Sequence, residues 1–437
     1  MGDLQSRQNS KLLAAVYIIL FAVAAVGDSK FLPSSAKAAA VMTFAIAVMV
    51  LMVTADFSNL KTISWFIIIY SVWIFVILFY SLFIWIIRFE TASYMMRGCS
   101  KLMYQFMLVL CVFAAAYLFG EKGIHYTFYG LVLGNAVIAL LYIPVYGISE
   151  VISSVTTFVL SPGEAVGYMR SLEIHDITFT YGFFLIYFIF FDKISTKKMK
   201  AFNILIAALF FYIGFKRIAL ISFVFIFAAG LILRKTPPRA QYGIMKTVLV
   251  LAVIFSFIYL LIINNDVFIM MMNKFGVDVM GRDVLYGYID KYYRISPTFF
   301  GYGFEYVHMM MLEIAKVGGS QFNGMVDIHN DFLRVYIEMG FWGFIAWGLY
   351  TLVFQYSRIK SKSSLDTARL FFLCEMYIFF TYMTDNTLFY FFSGMVLRMI
   401  PACYALHRES PEKAEILEGK PVDTDDKKQK GLSILSQ

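Results

Sequence analysis

ISWFIIIYSVWIFVILFYSLFIWII, residues 63–87, carries no charge from end to end. A helix rises about 1.5 Å per residue and about 20 apolar residues cross the hydrocarbon of a bilayer, so this stretch is long enough to span one. It lacks the apolar-polar alternation of a barrel strand. Helices and closed barrels are the only structures that satisfy their backbone groups in lipid, and the stretch therefore reads as a transmembrane helix. Similar apolar runs fall at about 12–27, 38–54, 102–119, 127–146, 177–191, 201–215, 218–233, 247–263, 332–356, 368–384 and 387–406. The sequence predicts an all-α polytopic membrane protein of about twelve helices.

Composition agrees. Of 437 residues 60% are hydrophobic and 15% charged, against about 25% charged in soluble domains, and the mean hydropathy is +0.72. That excludes a soluble globular protein. The formal net charge of +8 would favour an anionic partner such as nucleic acid if the cations shared one soluble face. They sit instead in short loops between apolar runs, as topology charges do. The cysteines Cys99, Cys111, Cys374 and Cys403 show neither a disulfide framework nor a zinc spacing. The first run lacks a small-residue cleavage site and reads as a retained helix.

Orientation follows from three basic loops, holding Lys193, Lys197, Lys198 and Lys200, then Arg234, Lys235 and Arg239, then Arg358, Lys360, Lys362 and Arg369. All fall on one side, which the positive-inside rule makes cytoplasmic. Both termini are then inside. Residues 1–406 form one transmembrane domain, with a large external loop at about 264–330 and a smaller external segment at about 147–176. One loop departs from the rule: Arg88, Arg97 and Lys101 outweigh Glu90 where parity predicts an outer loop. Either a helix is miscounted or those cations hold something anionic.

Within 147–176 the stretch Val151 to Leu160, followed by Pro162, Gly163 and Gly167, suits a short helix lying on or dipping into the membrane surface. The 264–330 loop is far longer than an ordinary connection and holds Tyr286, Tyr288, Tyr292, Tyr293, Tyr302 and Tyr306 among apolar residues, so it can bury something. Residues 407–437 are dense in mixed charge and read as a disordered cytoplasmic tail.

Signatures of soluble enzymes fail one by one. Gly301-Tyr302-Gly303 lacks the third glycine of a dinucleotide loop and reads as a turn after Pro297. Asp423-Thr424-Asp425 has a metal-holding spacing but lies in the tail. His308 beside Met309, Met310 and Met311 could form a soft-metal site but lacks a Cys or a second His and reads as packing. What remains is a set of polar groups on the outer side. Arg217, after Lys216, sits at a tight turn where a helix begins. There its guanidinium would join free backbone N–H groups and the positive helix end in an anion site, the alternative being a snorkelling turn residue. Arg282, in Gly281-Arg282-Asp283, opens a short helix, with a solvated ion pair to Asp283 as its plainer reading. His329 stands where the outer loop enters a membrane helix, a place for a base or a structural histidine. Arg334 and Glu338, four apart, pair on that helix.

These residues carry a resemblance. Gly281-Arg282 with Tyr286 four residues on, Gly301-x-Gly303 after a proline, and His329-Asn330-x-Phe332-Leu333 with Glu338-x-Gly340 resemble the signature of the O-antigen polymerase and O-antigen ligase superfamily. Lys216-Arg217-x-Ala219-Leu220 resembles its helix-turn arginine, although a small polar residue more often stands where Lys216 does. The signature covers about 130 residues, from 210 to 340. The resemblance implies a fold similar to lipid-dependent glycosyltransferases and transfer of a glycan from undecaprenyl diphosphate on the outer face of the bacterial cytoplasmic membrane, with no metal, nucleotide or other cofactor. It implies that Arg217 and Arg282 hold the departing diphosphate; Lys216 and Tyr286, and from the exceptional basic loop Arg88 and Arg97, are further candidate contacts to the diphosphate or glycan. His329 would deprotonate or orient the attacking hydroxyl, and direct displacement would invert the anomeric carbon. The product would be a surface polysaccharide such as O-antigen, capsule or exopolysaccharide, with flippase and chain-length regulator proteins as possible partners. A ligase is the near alternative. A flippase or exporter fits less well, because internal repeats and broken helices in matching halves are not seen in the sequence.

Overall fold

The computed structural model describes residues 2–30, 32–53, 60–161, 166–264, 267–274, 282–317 and 327–406. The tail from 407 on, with Asp423 and Asp425, lies outside the described residues. Each of the twelve apolar runs is helical. In chain order they are α1 (Gly2–Gly27), α2 (Ser34–Val53), α3 (Leu60–Ile87), α4 (Ala92–Phe119) and α5 (Lys122–Tyr146). Then come the shorter α6 (Ile148–Leu160), α7 (Gly167–Ser171) and α8 (His175–Phe190), followed by α9 (Lys197–Ile213), α10 (Arg217–Lys235) and α11 (Pro238–Asn264). The large loop holds α12 (Val267–Lys274), α13 (Arg282–Ile289) and α14 (Tyr306–Val317). The chain ends in α15 (Asp331–Gly348), a π-helical turn at Leu349–Phe354, α16 (Gln355–Lys362), α17 (Leu365–Thr381) and α18 (Phe391–Leu406). Among the described residues 7 helices are long and apolar enough to cross a membrane by length and composition, and no strand occurs. The protein is an all-α polytopic membrane protein.

α8, α17 and α18 are buried along almost their whole length and pack on one another. α1, α2, α4 and α5 close one flank, and α9 and α10 the other. α1 approaches α5 closely because Gly130 and Gly134 leave room for Phe21, Ala22 and Ala25, the small-residue contact that membrane helices use in place of a hydrophobic drive. α6 shows Ile148, Ile152, Val159 and Leu160 to the surroundings, as expected of a helix resting at a bilayer surface.

Side-chain contacts sort the connections to two ends. At one, Lys193 and Arg369 both reach Asp366, Arg234 donates to the Phe190 carbonyl, and Asp192 faces His125. At the other lie the α3–α4 turn, the large loop, the α9–α10 turn and the α17–α18 connection, described below. The three basic loops therefore share an end, as their charge predicts. The α3–α4 turn lies opposite them. Arg97 pairs with Glu305 (3.5 Å) and touches His308, Arg88 pairs with Glu90 (3.4 Å), and Arg88 lies over the Tyr302 ring at 4.1 Å. Carboxylates and an aromatic face hold the exceptional cations.

The run at 332–356 is not one straight helix. Gly340 has φ 68°, and the chain breaks direction there. Into the break fits the segment around Gly301 and Gly303, both with positive φ, whose backbone pairs with α15: Tyr302 N to Ile337 O (3.1 Å), Gly303 N to Glu338 O (2.8 Å) and Phe341 N to Phe299 O (2.8 Å). A Cβ on Gly340 would strike the backbone of Phe299 and Phe300, and one on Gly301 would strike Glu338 and Gly340. Two glycine motifs distant in sequence are thus two halves of one joint. Gly340→Ala is expected to cost on the order of 2–4 kcal/mol of stability in detergent from positive φ plus overlap. Gly243→Ala, at an open helical position, should be neutral. Equal thermal unfolding of the two variants would contradict the joint.

Candidate functional site

His329 is held by its neighbours on both sides. Asn330 caps α15, its Oδ1 accepting from Leu333 N (3.0 Å) while its Nδ2 donates to the Tyr286 hydroxyl (3.3 Å). Asp331 donates its N–H to Tyr382 O (2.9 Å) and accepts from Leu388 N (2.8 Å). Capping of one helix thus ties the large loop to the α17–α18 connection. With both following residues fixed, His329 adopts φ 49°, a left-handed conformation that histidine tolerates better than most residues. Its half-buried ring has Nδ1 3.3 Å from Asn386 Nδ2.

Beneath it lies a charge cluster. Arg334 is buried and reaches Asp327 (2.7 Å), Glu305 (3.0 Å) and Glu338 (3.4 Å), and its guanidinium covers the Phe389 ring at 4.3 Å. The i,i+4 pair with Glu338 exists but is the longest of the three ion pairs. Glu305 also carries Arg97, so a continuous polar path runs from the α3–α4 turn through Glu305 and Arg334 to Asp327, two residues before His329.

From the α17–α18 connection the site continues to the arginine turn. Asp176 at the start of α8 accepts from Phe392 N (3.0 Å), Ser393 N (2.8 Å) and the Ser393 hydroxyl (2.8 Å), meeting the free donors at the start of α18. Just before α8, Glu173 pairs with Lys216 (2.7 Å) and lies 3.5 Å from His175. Burial alone would raise the Glu173 carboxyl, but the bonds from His175 and Lys216 outweigh it and hold it down at about 2. Lys216 is the N-cap of α10, and Arg217 follows as an exposed residue at the first helical position, with no ion pair among the described residues.

The residues singled out from sequence thus gather at one end, in different states. Tyr286 and His329 flank Asn330. Arg217 and Arg88 are exposed, and Arg97 is partly exposed. Lys216 is engaged by Glu173, and Arg97 by Glu305 and His308. Arg282 begins α13, four residues before Tyr286, and its side chain lies outside the described residues. Asp327, two residues before His329, is bound to Arg334. Sequence reasoning missed Glu173, Asp176, Glu305 and Asn386. Each lies in or at the edge of a connection of mixed composition and finds a partner on a distant part of the chain, so local spacing holds no signal for it.

Residues 202–348 match a family model described as O-Antigen ligase. No curated protein matches the chain. The matched segment holds Lys216, Arg217, Arg282, His329, the Arg334 cluster's Glu305 and Glu338, and both halves of the glycine joint. Over those residues, about a third of the chain, the protein is similar to that family.

Proposed function

We propose that the protein polymerises undecaprenyl-diphosphate-linked repeat units into a surface polysaccharide on the outer face of the bacterial cytoplasmic membrane. The observation that carries this reading is the location of His329, Tyr286 and Arg217 at one end of the bundle, inside the segment similar to O-antigen ligases. The donor's diphosphate gains negative charge as the glycosidic bond breaks. Arg217 at the helix start and Arg282, four residues before Tyr286 in sequence, supply cations for that charge. His329 faces the acceptor hydroxyl. The Asn386 amide sets its role. With Nδ2 toward the ring, Nδ1 accepts and the proton sits on Nε2, which then only donates. Turned by half a revolution, Asn386 Oδ1 accepts from Nδ1–H and leaves a lone pair on Nε2 that can take the acceptor's proton. Attack opposite the diphosphate inverts the anomeric carbon.

Purified protein given only lipid-linked repeat units tests the reading: a ladder of products is expected. The second reading, a ligase handing finished polysaccharide to another acceptor, is favoured by the description of the matching family; product that forms only after a different acceptor is added would establish it. Because arginines supply the positive charge in this mechanism, activity is expected to survive excess EDTA. A strict need for magnesium or manganese would overturn the metal-free mechanism.

A further inference from the structure

At the end of the bundle opposite His329, the first turns of α3 and the far part of the α15–α16 helix leave a groove of about 240 Å³. Its walls are Trp65, Ile68, Ile69, Val72, Tyr350 and Phe354, and Arg358 and Lys362 complete its lining. Ile68, Val72 and Phe354 are exposed, so the groove opens on the flank of the bundle. The π-helical turn at Leu349–Phe354 shapes one wall. Within it Tyr350 donates its hydroxyl to the Ile69 carbonyl (2.7 Å) and stacks on Trp73 and Phe354, which fixes the two helices at this spacing.

The cations decide what fits. Other charges of the neighbouring loops are engaged: Lys360 lies over the Tyr242 ring at 4.2 Å, and Arg369 and Lys193 share Asp366. Arg358 and Lys362, one helical turn apart and both exposed, have no carboxylate among the described residues; Arg358 rests on the Phe354 face at 5.2 Å. Two like charges one turn apart repel unless an anion lies near them. We propose that this groove binds an anionic glycerophospholipid of the bilayer, its phosphate between Arg358 and Lys362 and part of one acyl chain along Trp65, Ile68 and Tyr350. The space is too small for the length of a polyprenyl tail, and it lies away from the end that holds His329.

Trp65 supplies the readout. The protein in phosphatidylcholine nanodiscs is titrated with phosphatidylglycerol carrying brominated acyl chains, which quench tryptophan on contact. The signal of a Trp65→Phe variant is subtracted to remove the other four of the five tryptophans. Expected is saturable quenching of Trp65 at low mole fraction, with brominated phosphatidylcholine quenching only in proportion to its amount. Arg358→Ala/Lys362→Ala should raise the phosphatidylglycerol required at least about tenfold, while Lys360→Ala, whose side chain lies elsewhere, should not. Monodisperse elution of each variant shows that it is folded, and Lys362→Ala alone provides a milder change. Equal quenching by both lipids, or an unaltered double variant, would overturn the proposal. So would displacement by an equimolar polyprenyl phosphate, which would give the groove to the carrier lipid. No glycan enters the assay, so its outcome is independent of the polymerase reading.

Discussion

Arg334→Ala is expected to leave little folded protein. The substitution strands Glu305, Glu338 and Asp327 around an empty centre, and Glu305 and Glu338 are almost completely buried. Removing one partner of a buried ion cluster costs about 3–5 kcal/mol, a large part of the 5–15 kcal/mol that separates folded from unfolded protein. Arg334→Lys keeps the charge but has no planar fork to reach three carboxylates at once, and should recover only part of the loss. Fluorescence-detected gel filtration and thermal unfolding in detergent measure both. Wild-type stability of the alanine variant would mean that the carboxylates do not depend on the guanidinium.

The second large effect is on turnover. Arg217→Ala should reduce polymer formation about a hundredfold, on the order of 3 kcal/mol, through loss of a charge-assisted contact to the departing diphosphate. The fold should not suffer, because Arg217 is exposed and forms no ion pair among the described residues. Arg217→Lys should restore only part of the rate. Arg282→Ala is expected to behave likewise, with loss of donor affinity alongside turnover. His329→Ala should instead bind the lipid-linked glycan almost as wild type does and fail to extend it, because a base acts on the acceptor. His329→Gln can orient a hydroxyl but cannot take a proton. Substantial activity in that variant, with a rate that does not fall on acidification, would make His329 a positioning group. Equal loss of donor binding in all three alanine variants would dissolve the division of labour.

The helices were legible because their cause is local. A long uncharged run has one stable state in a bilayer, and each predicted run is largely helical, with the break at Gly340 inside one of them. Boundaries were less so: α4 begins at Ala92, ahead of the apolar run, because Thr91 caps it and accepts from Tyr94 N. α18 begins only at Phe391, because the preceding residues serve Asp331 and His329. The break at Gly340 was hidden for a different reason. A glycine inside an apolar run is tolerated in a helix, and what opens the chain there is the 299–303 segment, whose arrival no local pattern announces. In the site, His329, Tyr286 and Arg217 stood out as polar or aromatic residues at helix ends. The arrangement around them did not, since Lys216 pairs with Glu173 and Arg97 with Glu305 only through tertiary structure.

The Arg97 contact bears on how the chain is laid into the membrane. In the proposed orientation α3 and α4 form a hairpin whose tip crosses to the outside carrying Arg88 and Arg97. Arg88 has Glu90 beside it from the start, but His308 is 211 residues further along than Arg97, with Glu305 just before it. At about 5–20 residues per second, ribosomal synthesis reaches them on the order of ten to forty seconds later. During that interval the hairpin tip is a basic loop on the wrong side of the charge rule, held only by the length and apolarity of its two helices. Arrival of the large loop then latches it. In that orientation the uncharged run from 63 to 87 is also an insertion signal, strong enough to carry Arg97 across before its partners exist.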